Sequence, residues 1–290
     1  MAKVLVIGAA GMLGQDVMHE LKNSSPRGVG RKELDITDAD AVNRLTEGWD
    51  VIVNTAAYTK VDECESHPEE AFRVNATGPR NIARAARLHG ARVIQVSTDY
   101  VFDGTAASPY TENSPTNPLS VYGSSKLAGE QAVIEGHPEG AIVLRTSWLY
   151  ATHGKSFPRT ILEAAAKRDY LRVVDDQWGQ PTWTRDVAAM VGSLIRAEIP
   201  TGIFHATNAG STTWCAFARE LFALAGWDTE RVVATTSEEF AQRAPRPAWS
   251  VLGHEQWELR GLPSPRPWTE ALEEAWEAGV KAFAEVRPPL

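Results

Sequence analysis

The chain has 290 residues, enough for roughly two domains of ordinary size and for a core that needs no disulfide or metal support. Its composition, 43% apolar and 23% charged, is typical of a globular protein and excludes a disordered or collagen-like chain. The net charge of −8 argues against a nucleic-acid partner, and two cysteines are too few for a disulfide framework or a cysteine-rich zinc site.

The first half of the chain alternates short β-branched runs with longer helical ones, which predicts parallel βαβ units. Helices are predicted at 15–22, 69–89 and 122–134, and strands at 4–7, 51–53, 93–96 and 141–144. Pro79 is expected to mark a break, or the first turn of a new helix, inside 69–89. Because the strands are continuously apolar, the sheet should be covered on both faces.

The second half predicts further short strands at 173–174 and 203–204 and a last helix at 269–285. The whole pattern predicts an α/β protein with a Rossmann-type doubly wound parallel sheet. Residues 1–148 are assigned to a dinucleotide-binding domain, and a later segment around 170–200 is expected to return to it. Residues 149–290 are assigned mainly to a smaller α/β substrate-binding part.

A glycine loop joins the first strand to the first helix. Gly8, Gly11 and Gly14 have the spacing G-x-x-G-x-x-G, whereas the commoner dinucleotide fingerprint is G-x-G-x-x-G. Glycines at such a junction allow a tight turn and close approach to a pyrophosphate, which the helix N-terminus attracts. The loop therefore predicts a nucleotide cofactor.

The residues at 28–32, where the strand that follows the first helix is expected to end, indicate which cofactor is bound. A carboxylate there would accept hydrogen bonds from the adenosine 2′-hydroxyl and repel a 2′-phosphate. This chain has Arg31 and Lys32 instead, which favours NADPH, although Glu33 remains an alternative acceptor and keeps NADH open. Asp35 and Ile36 suit the adenine edge.

A tyrosine and a lysine four residues apart predict the catalytic centre. On a helix, Tyr122 and Lys126 lie on one face, and the ammonium is expected to lower the pKa of the phenol. Thr98 follows the third predicted strand, at the sheet edge where ligands of this fold bind. Its hydroxyl is placed to hold a carbonyl oxygen that Tyr122 protonates while a nicotinamide delivers hydride.

These motifs together resemble the extended short-chain dehydrogenase/reductase family and, more narrowly, the dTDP-4-dehydrorhamnose reductase family over almost the whole chain. The narrower resemblance rests on the segments 62–65, 145–151, 176–182, 212–214 and 246–252. It implies NADPH-dependent reduction of the C4 ketone of dTDP-4-dehydro-β-L-rhamnose to dTDP-L-rhamnose, a precursor of cell-surface polysaccharide.

The resemblance also implies roles for single residues. Thr98 would polarise the ketone, Tyr122 would donate the proton, and Lys126 would tune Tyr122 and hold the nicotinamide ribose. Asp99 and Trp148 match contacts to the sugar nucleotide, and the Trp148 indole is expected to offer a flat apolar face to the sugar. The matched cofactor contacts are Met12, Leu13, Asp35, Ile36, Ala56, Ala57 and Tyr58.

Arg246 is a further candidate, because a guanidinium suits bidentate contact with a diphosphate; the alternative is an exposed arginine among prolines. Some family members bind magnesium through acidic residues at a dimer interface. Those residues have no clear match here, so Mg²⁺ stays open, as does the choice between monomer and homodimer. The seven histidines have no metal-binding spacing, and no metal ligand is predicted.

Other activities that occur on the same scaffold require different residues. A dehydratase would carry a second carboxylate where Tyr100 follows Asp99. A nucleotide-sugar 4-epimerase shares the tyrosine–lysine pair, and a regulatory subunit like that of methionine adenosyltransferase would bind NADP without catalysis. Both of these remain alternatives.

No stretch approaches the roughly 18 apolar residues that a membrane span needs. The glycines of the first apolar segment, with no cleavage site after it, argue against a signal peptide. The expectation is a cytoplasmic protein with a dTDP-sugar substrate and no membrane partner.

Overall fold

The structure is a computed structural model that describes residues 2–240 and 243–285. Its strands, in chain order, are β1 (Val4–Ile7), β2 (Arg27–Val29), β3 (Val51–Asn54), β4 (Arg92–Thr98), β5 (Ala141–Thr146), β6 (Leu149–Tyr150), β7 (Leu171–Val174), β8 (Trp178–Gly179), β9 (Thr182–Trp183), β10 (Gly202–His205), β11 (Thr212–Thr213) and β12 (Val232–Thr235).

The helices are α1 (Met12–Glu20), α2 (Ala39–Thr46), α3 (Val61–Cys64), α4 (Pro68–Phe72), α5 (Gly78–His89), α6 (Val121–Gly136), α7 (Phe157–Ala165), α8 (Thr184–Arg196), α9 (Trp214–Leu224), α10 (Glu255–Leu259) and α11 (Trp268–Ala278). A turn of π-helix, Arg73–Thr77, joins α4 to α5.

Six parallel strands form the central sheet in the order β10-β5-β4-β3-β1-β2. Apolar side chains of α1 and α8 cover one face, and those of α2, α5 and α6 cover the other. Chain order reverses at β1, which has β2 on one side and β3 on the other. Ligands of doubly wound sheets bind at the carboxyl edge near this reversal. The predicted Rossmann-type fold is confirmed.

The second half of the chain adds small two-stranded sheets around a separate apolar cluster. These sheets pair β7 with β12, β8 with β11 and β6 with β9. The cluster includes Tyr150, Trp183, Phe217 and Trp276. From the same half, α8 packs on the central sheet and β10 pairs with β5. The domain division at residue 148 stays a prediction.

Several predicted elements differ from those in the structure. The first helix begins at Met12 rather than at residue 15, so Gly14, the third glycine of the loop, lies within it. Pro79 lies in the first turn of α5, as predicted, since an N–H is not needed there. The last helix does not reach residue 285: α11 ends at Ala278, because Gly279 adopts a φ of 146° that no helix accommodates.

Cys64 and Cys215 are buried and free, so both thiols serve as small apolar side chains. Within the described residues, no helix is both long and apolar enough to cross a membrane.

Candidate active site

The glycine loop forms a tight cradle between β1 and α1. Gly8 has a φ of +84°, and the backbone nitrogens of Gly8 and Ala9 donate to the Val29 carbonyl. A Cβ on Gly14 would lie 2.3 Å from the Gly8 carbonyl oxygen, so only glycine lets the helix come this close. No side chain caps α1 at Gly11, which leaves the N–H groups of its first turn available to an anion. This cradle fits the pyrophosphate of a dinucleotide.

Cations surround the end of β2, where the adenosine ribose is expected. Arg31 is exposed directly after the strand, and Arg73 lies nearby with its Nη1 3.8 Å from an Asp35 oxygen. Glu33, the alternative ribose acceptor, turns back to accept the Gly30 N–H at 2.9 Å. The pKa of Asp35 is lowered, chiefly by the hydrogen bond from the Thr37 hydroxyl. Arg73 went unnoticed in the sequence because it is distant from the glycine loop along the chain.

The segment after β3 lies against the glycine loop. A Cβ on Gly8 would be 2.7 Å from the Ala56 nitrogen, so Ala56, Ala57 and Tyr58 begin at the cradle itself. Asn75, in the π-helical turn, accepts the Tyr58 N–H and donates to both the Tyr58 carbonyl and the Ser125 hydroxyl. Asn75 thereby joins the cofactor segment to α6. The sequence contains it in a quoted motif but gives no sign of this role.

Thr98 and Tyr122 meet at the carboxyl edge of β4. The Thr98 hydroxyl donates to Asp99 Oδ1 at 2.9 Å and lies beside the Tyr122 phenol, whose pKa its hydrogen bond helps to lower. Burial has the larger effect and raises the pKa of Tyr122 well above its usual value. A Cβ on Gly123 would be 2.2 Å from the Tyr100 carbonyl oxygen, so this glycine lets α6 approach β4 closely.

Lys126 is buried on the same face of α6, and its Nζ donates to the Val96 carbonyl at 2.6 Å. Burial lowers the pKa of Lys126 to about 8, and the negative charge of Glu130 opposes that fall. The prediction that Lys126 lowers the pKa of Tyr122 is wrong. Burial outweighs every opposing influence on the phenol, and the ammonium is directed at Val96.

In the part of the chain that the structure describes, three buried polar atoms at the ends of β4 and β5 have no hydrogen-bond partner: Ser97 Oγ, Thr146 Oγ1 and Asp99 Oδ2. Burial raises the pKa of Asp99 to about 6. Buried polar groups are normally satisfied, so three unsatisfied ones beside Thr98 mark a place for a polar ligand. The residues present fit a nicotinamide and a sugar ketone.

The Trp148 indole stands two residues beyond β5, partly buried. It stacks on Trp214 with ring centroids 3.5 Å apart and planes at 11°, and Gly179 lies against it. The prediction that the Trp148 indole offers a flat face to the sugar is therefore wrong, because Trp214 and Gly179 cover both faces of the ring.

Arg246 makes a two-point ion pair with Asp62, with N–O distances of 2.7 and 3.2 Å, and donates to the Ala244 carbonyl. Its side chain is 13% exposed, so Arg246 is not the exposed arginine of the alternative, and its contact with a diphosphate stays a prediction. Burial raises the pKa of Tyr100, nearby Arg246 opposes that rise, and the Tyr100 ring meets that of Tyr122 edge-on at 5.8 Å. The Asp62–Arg246 pair thus links the segment after β3 to the C-terminal part near Tyr122.

A second ion pair lies behind the site. Arg145 of β5 donates from Nε and Nη2 to the two oxygens of Glu130, at 2.9 and 2.7 Å, and both side chains are almost fully buried. Glu130 is one helical turn beyond Lys126, which explains its influence on that lysine. Glu130 is not among the residues singled out from the sequence; its i+4 spacing from Lys126 is the signal that could have found it. Among residues 2–240 and 243–285, no group of three or more acidic, histidine or cysteine side chains could hold a metal ion.

Comparison with known proteins identifies close relatives. The model of the RmlD substrate binding domain family matches residues 2–280. A dTDP-4-dehydrorhamnose reductase from Streptomyces griseus is 45% identical, covering 94% of this chain and 93% of that protein. A dTDP-4-keto-6-deoxy-D-glucose reductase from Streptomyces niveus is 43% identical, with coverages of 94% and 96%. The crystal structure of the Bacillus anthracis dTDP-4-dehydrorhamnose reductase in complex with NADP is 36% identical, with a TM-score of 0.92 and coverages of 96% and 99%.

Proposed function

The chain belongs to the RmlD substrate-binding-domain family, and from this premise we propose that it reduces the C4 ketone of dTDP-4-dehydro-β-L-rhamnose to dTDP-L-rhamnose with NADPH. The observation that carries the proposal is the meeting of Thr98 with Tyr122 and Lys126 at the carboxyl edge of β4. The unsatisfied polar atoms beside them supply polar groups for a ketone to contact.

The chain's own residues move the proton. Because burial raises the pKa of Tyr122, its phenol is protonated at neutral pH and holds the proton that the ketone oxygen receives. Thr98 now donates to Asp99, and a ketone oxygen would offer that hydroxyl a second acceptor. Lys126 would hold the nicotinamide ribose. When bound, the cofactor supplies the hydride that completes the reduction at C4.

The cofactor proposal is NADPH rather than NADH. Arg31 and Lys32 bring two cations to the end of β2, where a 2′-phosphate would lie, and Arg73 lies near Asp35 in an ion pair with Glu70. Glu33, the carboxylate that could favour NADH, is engaged by the Gly30 N–H. The NADP complex of the Bacillus anthracis relative supports this choice.

The identity of the sugar is the most specific part of the proposal, because the two Streptomyces relatives are named for different dTDP sugars. The test mixes the purified chain with NADPH and either dTDP-4-dehydro-β-L-rhamnose or dTDP-4-keto-6-deoxy-D-glucose, and follows the absorbance of NADPH. We expect faster oxidation with the rhamnose precursor, and dTDP-L-rhamnose as the product.

Each other outcome contradicts the proposal in its own way. Faster oxidation with dTDP-4-keto-6-deoxy-D-glucose would assign a different deoxysugar. Inversion of the C4 hydroxyl of dTDP-L-rhamnose without net change in NADPH would indicate a 4-epimerase, since the 4-ketones have no configuration at C4 to invert. NADPH binding with no turnover of either sugar would indicate a non-catalytic regulatory subunit.

A further inference from the structure

Trp148 has an unusual backbone conformation. Its φ is +45°, in the left-handed region that glycine adopts freely and that a bulky side chain adopts only at an energetic cost. Such a conformation persists only where the surrounding structure imposes it, and it is concentrated at functional sites. The contacts that hold Trp148 in this conformation affect the candidate site, because Trp148 follows β5 at the edge of the sheet where Thr98 lies.

Two residues hold the Trp148 indole between them. Trp214 covers one face as a parallel stack, with centroids 3.5 Å apart. A Cβ on Gly179 would lie 2.4, 2.6 and 2.7 Å from the indole atoms Cε2, Cζ2 and Nε1, so the Gly179 backbone lies over a face of the ring. The three atoms nearest to this Cβ position all belong to Trp148, and none belongs to Trp214. Gly179 therefore covers the indole face opposite the one that Trp214 covers.

The two sides of this clamp are joined to each other. Gly179 is in β8, which pairs with β11 in the register Thr212↔Gly179, and β11 leads directly into Trp214 at the start of α9. Thr213 caps that helix by accepting the Ala216 N–H, and its hydroxyl donates to Asp175. Backbone hydrogen bonds therefore set the gap into which the indole fits.

We propose that Trp214 and Gly179 are positioning residues for sugar binding: they fix the Trp148 indole so that its edge, not its face, borders the sugar. The clamp sets where the sugar ring stops relative to Thr98 and Tyr122 and so determines which sugar places its ketone at the phenol. This inference rests on the proposed function, because it takes the sugar of a dTDP-sugar as the group beside Trp148.

The test compares Trp214→Ala and Trp214→Phe with a matched control, Trp227→Ala. Trp227 is a partly buried tryptophan of the same apolar cluster, but it packs on Phe222 and Arg231. For each variant we would measure kcat and KM for the sugar nucleotide, the Kd of NADPH, and thermal unfolding.

We expect Trp214→Ala to raise KM for the sugar nucleotide roughly tenfold or more, or to lower kcat by a similar factor, with the Kd of NADPH unchanged. Trp214→Phe keeps a ring on the Trp148 face and should restore most of the loss. Trp227→Ala should lower the unfolding temperature without changing KM. A folded Trp214→Ala protein with wild-type kinetics would overturn the inference.

A second variant covers the case in which Trp214→Ala does not fold. Gly179→Ala places a methyl group against the indole, and we expect it to raise KM in the same way; wild-type kinetics in this variant would also overturn the inference. If the wild-type chain turns over neither sugar, the proposed function fails. Calorimetric titration of dTDP-L-rhamnose into the same variants then tests the positioning role of Trp214 and Gly179. Weaker binding than in the wild type, in both Trp214→Ala and Gly179→Ala, supports that role, and unchanged binding refutes it.

Discussion

Replacing Glu130 by glutamine tests whether the buried ion pair supports the catalytic lysine. Glu130 accepts two hydrogen bonds from the Arg145 guanidinium, and the two side chains are 2% and 3% exposed. Glu130→Gln keeps the shape and one acceptor oxygen but removes the charge. The Arg145 cation is then left in the interior without its counter-ion.

The magnitude follows from that burial. Removing one partner of a buried ion pair costs about 3–5 kcal/mol, and the remaining acceptor favours the lower end, about 3 kcal/mol. In a protein of 290 residues, such a loss lowers the unfolding temperature by roughly 5 °C. The matched control is Glu163→Gln, which breaks the exposed Arg159–Glu163 pair within α7 and should cost no more than about 0.5 kcal/mol.

The pH dependence of kcat is a measurement that a loss of stability alone would not change. Burial holds the pKa of Lys126 at about 8, so the ammonium loses its proton, and kcat should fall, as pH rises through that value. Glu130 opposes the effect of burial, so Glu130→Gln lowers the pKa further and moves the alkaline fall in kcat to lower pH. Glu163→Gln should leave the profile unchanged.

The assay combines thermal unfolding with kcat measured across a pH series under saturating NADPH and sugar nucleotide. Two results would refute the reasoning. One is a loss of stability no larger than that of Glu163→Gln. The other is an alkaline limb that stays in place or moves to higher pH, since the charge of Glu130 would then not act on Lys126.

Three further substitutions test the site directly. Tyr122→Phe removes the proton donor and should lower kcat roughly 10²–10⁴-fold with little change in the Kd of NADPH; retention of more than about half of kcat would assign the acid elsewhere. Arg31→Asp should raise KM for NADPH much more than for NADH, and equal losses would show that Arg31 does not contact the 2′-phosphate. Trp148→Phe should raise KM for the sugar nucleotide or lower kcat, with cofactor affinity unchanged; wild-type kinetics in a folded variant would leave Trp148 a packing residue.

Features that depend on neighbours along the chain were predictable from the sequence. The glycine loop, the strand before it and the helix after it follow from local sterics and hydrophobic pattern, which act over a few residues. Tyr122 and Lys126 lie on one face of α6 because helical geometry brings residues four apart together. Thr98 reached the carboxyl edge because it ends a buried parallel strand.

Features that depend on distant contacts and on exclusion of water were decided by the tertiary structure. Lys126 and Tyr122 have the predicted spacing, yet burial sets their pKa values, and burial requires the whole sheet and its helices. Arg246 pairs with Asp62, 184 residues away, and Trp148 is enclosed by Trp214 and Gly179. A residue's own sequence neighbourhood carries no record of such partners, because side chains from remote segments meet only when the core packs. The sequence by itself therefore determined the scaffold and the residue types of the site, and packing determined how those residues are charged, paired and held.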